Sequence, residues 1–386
     1  MTQPLQDGTQ PGTTARRLRR ASTWVVAVAV LAGCSGSSDP EPGAAPAPAA
    51  TPVTTSAAPT GPAVPTVTVD RTLASDLRVP WGVAFLADGS ALVAERPTGD
   101  VVRVGKDGGT QPAGTVPGVA DQGEGGLLGL AVQEKAGKTT VFAYLTAKAG
   151  DNRVVSLPFD GKRLGAAKVV LKGIPSGAIH NGGLLALGPD EKLWIGTGEA
   201  GRRSPAQDRS DLGGKVLRID TDGSVPADNP FRGSPVYSLG HRNVQGLAFD
   251  STGQPWAVEF GQNTWDELNR LLPGGNFGWP TVEGKEDRKG FIDPLVQWPT
   301  DEASPSGLAI VDDVAYIGGL RGERLWQVPL TGNTTGTPKA WLKGDFGRIR
   351  NVAADPAGGL WITTSNQDGR GDPGPDDDRV VRLDLK

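Results

Sequence analysis

The chain has 386 residues and a formal net charge of −4, with no basic stripe interleaved with aromatics, which argues against nucleic acid as a partner. Glycine is abundant at 56 residues, proline reaches 32 and charged residues only 21%, a balance that fits an all-β chain of many turns and not a helical one. The lone cysteine, Cys34, excludes disulfides within the chain and any cysteine-paired zinc site.

Residues 1–33 read as a targeting segment. Arg16, Arg17, Arg19 and Arg20 form a basic stretch, and Trp24 to Ala32 is apolar but too short to span a bilayer. It ends in Leu31-Ala32-Gly33-Cys34, which resembles a bacterial lipobox, so cleavage before Cys34 would leave its thiol for lipidation. The paired arginines keep twin-arginine export open beside the general secretory route. The removed segment carries four arginines and one aspartate, which takes the net charge from −4 to −7. Residues 34–65 are mostly Ser, Gly, Pro, Ala and Thr, cannot bury a core, and read as a disordered tether. The expectation is an exported, cell-envelope lipoprotein on the outer face of a membrane, touching it only through the lipid.

From about residue 66 to 386 a weak repeat predicts one domain. Each unit has a short apolar strand, a turn with Asp or Gly, a second apolar strand, and a looser element closing in an alternating strand. The first copy runs from Trp81 to Glu95 and closes with Asp100 to Val104; others begin at Gly129, Leu184, Gly246, Gly307 and Asn351. Starts recur every roughly 44 to 62 residues, the spacing of four-stranded propeller blades, so six copies predict a six-bladed β-propeller. The alternating segment Thr66 to Leu73 is placed to complete the last blade and hide its edge. Two β-sandwiches end to end are the competing architecture.

Chemistry on a propeller collects in loops at one end of the blades. The loops that break the repeat with polar residues carry Glu124, His180, Glu199, Arg242, Asn243, Gly261, Gln262, Asp266, Glu267, Arg321, Arg348 and Arg350. His180 is one of only two histidines, and imidazole suits proton abstraction near neutral pH. Converging arginines suit a ligand with several carboxylates or phosphates, because the guanidinium fork grips such oxygens in pairs. A hard cation held by backbone carbonyls and acidic side chains is compatible with the same loops.

Five segments carry a family resemblance: Gly-Glu124-Gly-Gly-Leu-Leu-Gly, Gly214 to Pro230, Leu239 to Phe249 with its Gly-His241-Arg242-Asn243 core, Glu259 to Asn269, and Gly274 to Pro280. From about Val79 to Lys386 the chain resembles the soluble aldose sugar dehydrogenases that depend on pyrroloquinoline quinone (PQQ), relatives of soluble glucose dehydrogenase. The resemblance implies a six-bladed propeller that oxidises the C1 hydroxyl of an aldose and passes electrons to an external acceptor. It implies PQQ and Ca2+ as cofactors. His180 matches the general base, and Arg242 a residue at the quinone oxygens, with Glu199 beside them in the expected catalytic set. Asn243, Arg321, Arg348, Arg350 and Glu124 fall at cofactor positions. The carbonyls of Gly261 and Gln262 match the calcium ligands, with Asp266 and Glu267 as further candidates.

The chain departs from the glucose enzymes at several of these places. Glu124 stands where they have Gln, Glu199 where they have Asp, Gln262 where they have Pro, and Arg321 where some members have Lys. The stretch from Trp279 to Ser304 is much shorter, which suits an open site and a broad range of aldoses, oligosaccharides included. A non-catalytic propeller binding module and a calcium-dependent propeller lactonase are the alternatives.

Overall fold

A computed structural model describes residues 62–386. Cys34, the targeting segment and most of the tether lie outside the described residues. The rest forms six antiparallel sheets in a ring, the six-bladed propeller that the repeat predicts.

Blade 1 is Pro80–Phe85, Ala91–Glu95, Asp100–Val104 and Thr110–Thr115, from the axis outward. Blade 2 is Leu127–Lys135, Lys138–Thr146, Asn152–Phe159 and Lys168–Ile174. Blade 3 is Leu185–Leu187, Leu193–Gly196, Lys215–Ile219 and Val236–Leu239. Blade 4 is Val244–Phe249, Pro255–Glu259, Trp265–Arg270 and Val296–Pro299. Blade 5 is Pro305–Val311, Val314–Gly319 and Leu325–Thr331, with its outer position divided between Thr334–Thr335 and Lys339–Trp341. Blade 6 is Ile349–Ala354, Leu360–Thr364, Val380–Leu385 and, from the start of the domain, Val67–Ala74. That last pairing closes the ring as expected, with Thr66 and Lys386 exchanging backbone hydrogen bonds.

The second strands are buried on both faces because each blade lies between two neighbours. Leu193–Gly196, Pro255–Glu259 and Leu360–Thr364 are buried at every position, which is why they open as apolar runs and turn polar only at the loop end, at Glu259, Thr363 and Thr364. The innermost strands pack side by side around the axis. Gly129 lets them approach: a Cβ there would collide with the Gly183 carbonyl of the next blade. The alternating strand that the sequence presents as closing each unit is the third of four. The fourth is an outer edge such as Thr110–Thr115, largely exposed and without an apolar pattern.

The Asp-rich turn of the repeat has a structural task. In blade 6 Asp355 accepts the indole N–H of Trp361 at 3.2 Å and the Nε of Arg382 at 2.9 Å. In blade 3 Asp190 accepts Trp194 at 3.2 Å and Arg218 at 2.8 Å in the same way. Trp361 faces Arg382, and Trp194 faces Arg218, across adjacent strands. One turn carboxylate therefore ties three strands of a blade together. Asp355→Ala strands a buried indole N–H and a guanidinium, and is expected to cost about 1.5–3 kcal/mol. A urea unfolding curve measures this as a lower midpoint at unchanged slope.

Candidate active site

The start of an innermost strand and the end of the second strand are neighbours in an antiparallel hairpin. Loops at these two points therefore meet at one end of the ring, and they do so with a repeated contact. Glu95 accepts the backbone N–H of Arg78 at 2.8 Å, Glu259 that of Arg242 at 2.7 Å, and Asn366 that of Arg348 at 2.9 Å. Blade 3 differs. There Glu199 accepts from the ring of His180, Nδ1 to Oε1 at 2.7 Å, and its Oε2 is buried with no hydrogen-bond partner among the described residues.

His180 is held by two further contacts. Its backbone N–H donates to Glu124 Oε2 at 2.9 Å, and its carbonyl accepts from Ala200 at 3.0 Å. Its φ of 57° is left-handed, a conformation that His tolerates better than most residues but that still costs about 1–2 kcal/mol. With Glu199 as acceptor, Nδ1 carries the proton and Nε2 is left as the basic nitrogen, an assignment made from the hydrogen-bond network. His180 lines a cleft with Glu124, Arg242, Gln262, Arg321 and Arg348. The other histidine does not. His241 is fully buried, paired through Nδ1 to Glu259 at 2.7 Å and through Nε2 to Ser238 at 2.8 Å.

The cleft runs into an adjoining hollow lined by Arg350, Asp368, Arg96 and Trp81, the two sharing Glu124, Phe260, Leu320 and Arg370. Arg348 and Arg350 point to one side while Ile349 is buried in the blade core, as alternation along a strand requires. Both face Asp368: its Oδ2 lies 2.9 Å from Arg348 Nη2 and 3.7 Å from Arg350 Nη2. Burial opposes ionisation of Asp368, but the two guanidiniums outweigh it and hold the carboxyl below its usual range. Burial lowers Arg350 to about 10, which leaves it charged at neutral pH. Its Nε is buried without a partner among the described residues.

Arg242 is fixed by Gln262, whose Oε1 accepts from Nη2 at 2.9 Å and Nε at 3.1 Å, and it stacks over Trp279. The loop after Phe260 is pinned from behind. Glu283 Oε1 accepts the backbone N–H groups of Gln262, Asn263, Thr264 and Trp265 at 2.8, 3.0, 2.9 and 3.2 Å. The carbonyls of Gly261 and Gln262 accept no hydrogen bond among the described residues.

Most of the loop residues singled out in the sequence come together at this cleft: Glu124, His180, Arg242, Gly261, Gln262, Asp266, Arg321 and Arg348 line it, and Arg350 lines the hollow beside it. Glu199 supports His180 from behind. Asn243 is fully buried beneath the cleft: its Oδ1 accepts from the Gly182 N–H at 3.0 Å, and its Nδ2 has no hydrogen-bond partner among the described residues. Glu267, the other acidic metal-ligand candidate, does not face the cleft as Asp266 does. Adjacent strand residues face opposite ways, and while Asp266 faces the cleft, Glu267 turns into a separate small hollow against Glu259 and Gly284. Asp266 itself is committed to the N–H groups of Gly261 and Ser304 at 2.9 and 2.6 Å, and burial pushes it up to about 7. Among the described residues no three His, Cys, Asp or Glu side chains cluster as metal ligands. A cation here would rest on carbonyl oxygens.

Arg96, Asp368 and Arg370 also line the site, without having been singled out in the sequence. The last two lie in Gln367-Asp368-Gly369-Arg370-Gly371, a polar glycine loop between the second and third strands of blade 6. The pattern that exposed the other loops is present there too.

Residues 77–372 match the glucose/sorbosone dehydrogenase family, so the chain belongs to that family and is an oxidoreductase. It is 50% identical to the aldose sugar dehydrogenase of Streptomyces coelicolor, solved in a PQQ-bound form, over 85% of this chain and 100% of that one, with a TM-score of 0.82. A structure described as a putative oxidoreductase (glucose dehydrogenase) from Thermus thermophilus is 41% identical over 82% of this chain and 100% of that one, with a TM-score of 0.77. Quinoprotein glucose dehydrogenase B of Acinetobacter calcoaceticus is 33% identical over 57% of this chain and 54% of its own length.

Proposed function

We propose that the protein oxidises the C1 hydroxyl of aldose sugars to lactones, with PQQ and Ca2+ bound in the cleft and an external electron acceptor. The observation that carries this reading is His180, backed by buried Glu199, opening onto a cleft and adjoining hollow where Arg96, Arg242, Arg321, Arg348 and Arg350 outnumber the carboxylates of Asp266 and Asp368, Arg370 being paired off with Glu124. That excess of fixed positive charge fits a planar tricarboxylate, and the unpartnered Nε of Arg350 is a donor for it. The unbonded carbonyls of Gly261 and Gln262 fit a hard cation.

His180 Nε2 takes the proton of the sugar C1 hydroxyl, and Glu199 stabilises the imidazolium that forms. Bound PQQ supplies an ortho-quinone that accepts hydride, and calcium a Lewis acid beside it. Arg242 contributes a fixed positive charge where negative charge develops, held ready by Gln262 and Trp279. Arg348 and Arg350 hold cofactor carboxylates, and Arg321, exposed at the rim, reaches the same group from blade 5. The test is to add PQQ and calcium to purified protein and follow dye reduction with a panel of aldoses. Bound PQQ without dye reduction by any aldose would sink the reading.

The protein is proposed to act at the cell envelope, held by a lipid on Cys34 with residues 35–65 as spacer. The support is the Leu-Ala-Gly-Cys run after an apolar stretch. Cys34→Ala is expected to release the protein from the membrane with reconstituted activity unchanged. Detergent partitioning checks this; a mutant still in the detergent phase, or a mature N-terminus elsewhere, contradicts it.

A further inference from the structure

We propose that Arg370 is a positioning residue for His180, acting through Glu124, and that the segment Asp368–Arg370 thereby ties the general base to the arginine pair of the cofactor grip. The inference rests on the reading of His180 as the base.

The chain of contacts is continuous. Asp368 Oδ2 faces Arg348 and Arg350. Asp368 Oδ1 accepts the backbone N–H of Arg370 at 2.9 Å, which fixes the segment. Arg370 Nη1 reaches across from blade 6 to Glu124 Oε1 at 2.8 Å. The other carboxylate oxygen, Oε2, accepts the His180 N–H at 2.9 Å. One carboxylate thus joins an arginine of blade 6 to the left-handed backbone of the base.

The placement of Glu124 is determined on its other sides as well. Its N–H donates to the Ala178 carbonyl at 2.9 Å, and Arg96 grips the flanking Gly123 carbonyl at 2.6 Å. The charged groups facing Glu124 are Arg370, Arg350 and Arg96, with His180 its other titratable neighbour. Burial disfavours the charge on Glu124, and the His180 N–H with Arg370 outweighs that penalty. A neutral residue at 370 leaves the carboxylate with weaker reason to stay where it holds His180. The Arg370 side chain is 57% exposed and Glu124 is its one ion-pair partner among the described residues, so its removal spares the core.

Three readouts test the proposal. In protein without cofactor, the ring resonances of two histidines are resolved by carbon-edited NMR and assigned with His180→Asn. Arg370→Ala is expected to move the His180 resonance and leave that of His241 in place. In loaded enzyme it is expected to lower turnover roughly 10-fold while sugar KM and the PQQ concentration for half-activity stay within about twofold, and Arg370→Lys to restore part of the loss. In a Glu124→Gln background, where the amide oxygen still accepts from His180 but the ion pair is gone, Arg370→Ala is expected to add nothing. An unmoved His180 resonance overturns the proposal, as does a loss confined to PQQ affinity, which would make Arg370 a cofactor contact. If no aldose reduces dye with wild-type enzyme, the sugar reading falls; the NMR comparison still decides whether Arg370 positions His180.

Discussion

His180→Ala is expected to lower turnover at saturating sugar by roughly 10² to 10⁴, the range for loss of a general base, while PQQ still binds. The arginines that line the cleft and the adjoining hollow come from blades 1, 4, 5 and 6, and the loop of blade 3 supplies none of them. The side chain also engages Glu199 and sits on a left-handed backbone. Alanine tolerates that backbone poorly. His180→Asn is therefore the sharper variant: Asn adopts the left-handed region readily and offers no base of useful pKa. Both variants are expected to lose turnover alike, with Asn the more stable to heat. Near-wild-type turnover by the Asn protein removes His180 from this role. Adding back free imidazole supplies a further check, since a missing base in an open cleft is open to rescue by a small one.

Arg348→Ala and Arg350→Ala are each expected to weaken PQQ binding by roughly 10- to 150-fold, the equivalent of one charge-assisted contact of about 1.5–3 kcal/mol. Asp368 sharpens the expectation. With one arginine gone, its carboxylate remains close to the other, so the positive charge available to a cofactor carboxylate falls by more than the single residue suggests. Lysine is expected to restore only part, because it lacks the fork. The change belongs in the PQQ concentration for half-activity, with little effect on sugar dependence at saturating PQQ. If both variants titrate like wild type, these arginines serve Asp368 alone, and the charge argument for a polyanionic cofactor fails with them.

The ring itself was legible in the sequence because each blade repeats two apolar strands around an Asp-rich turn, and burial between neighbours leaves that signal strong. Most outer strands were not: Thr110–Thr115 is largely exposed and has no apolar run, and Lys168–Ile174 has a short one but leaves it exposed or half-exposed, whereas Val67–Ala74 was legible through its alternation. His180 and the arginines could be found because they interrupt glycine loops at equivalent points of successive blades. What opposes them could not. That Asp368 sits between Arg348 and Arg350, or that Glu267 turns away while Asp266 stays, depends on strand phase and on loops of different blades meeting, and neither leaves a mark on local pattern. The same limit applies to the two histidines: equal in rarity, and separated only by one lining the cleft and the other being sealed beneath it.

Val67–Ala74 and Val380–Leu385 lie side by side, with Thr66 hydrogen-bonded to Lys386. The ring is thus a loop of chain whose two ends meet. A few residues joining 66 to 386 would make the domain circular, and new ends could then be opened at any exposed turn between blades. Permutants cut at different turns would rank the blades by how much each depends on being covalently continuous with its neighbours. The seam in blade 6 is a place where a sensor or electrode linker attaches without crossing the cleft, because that seam sits at the outer edge of a blade while the chemistry gathers at the axial end.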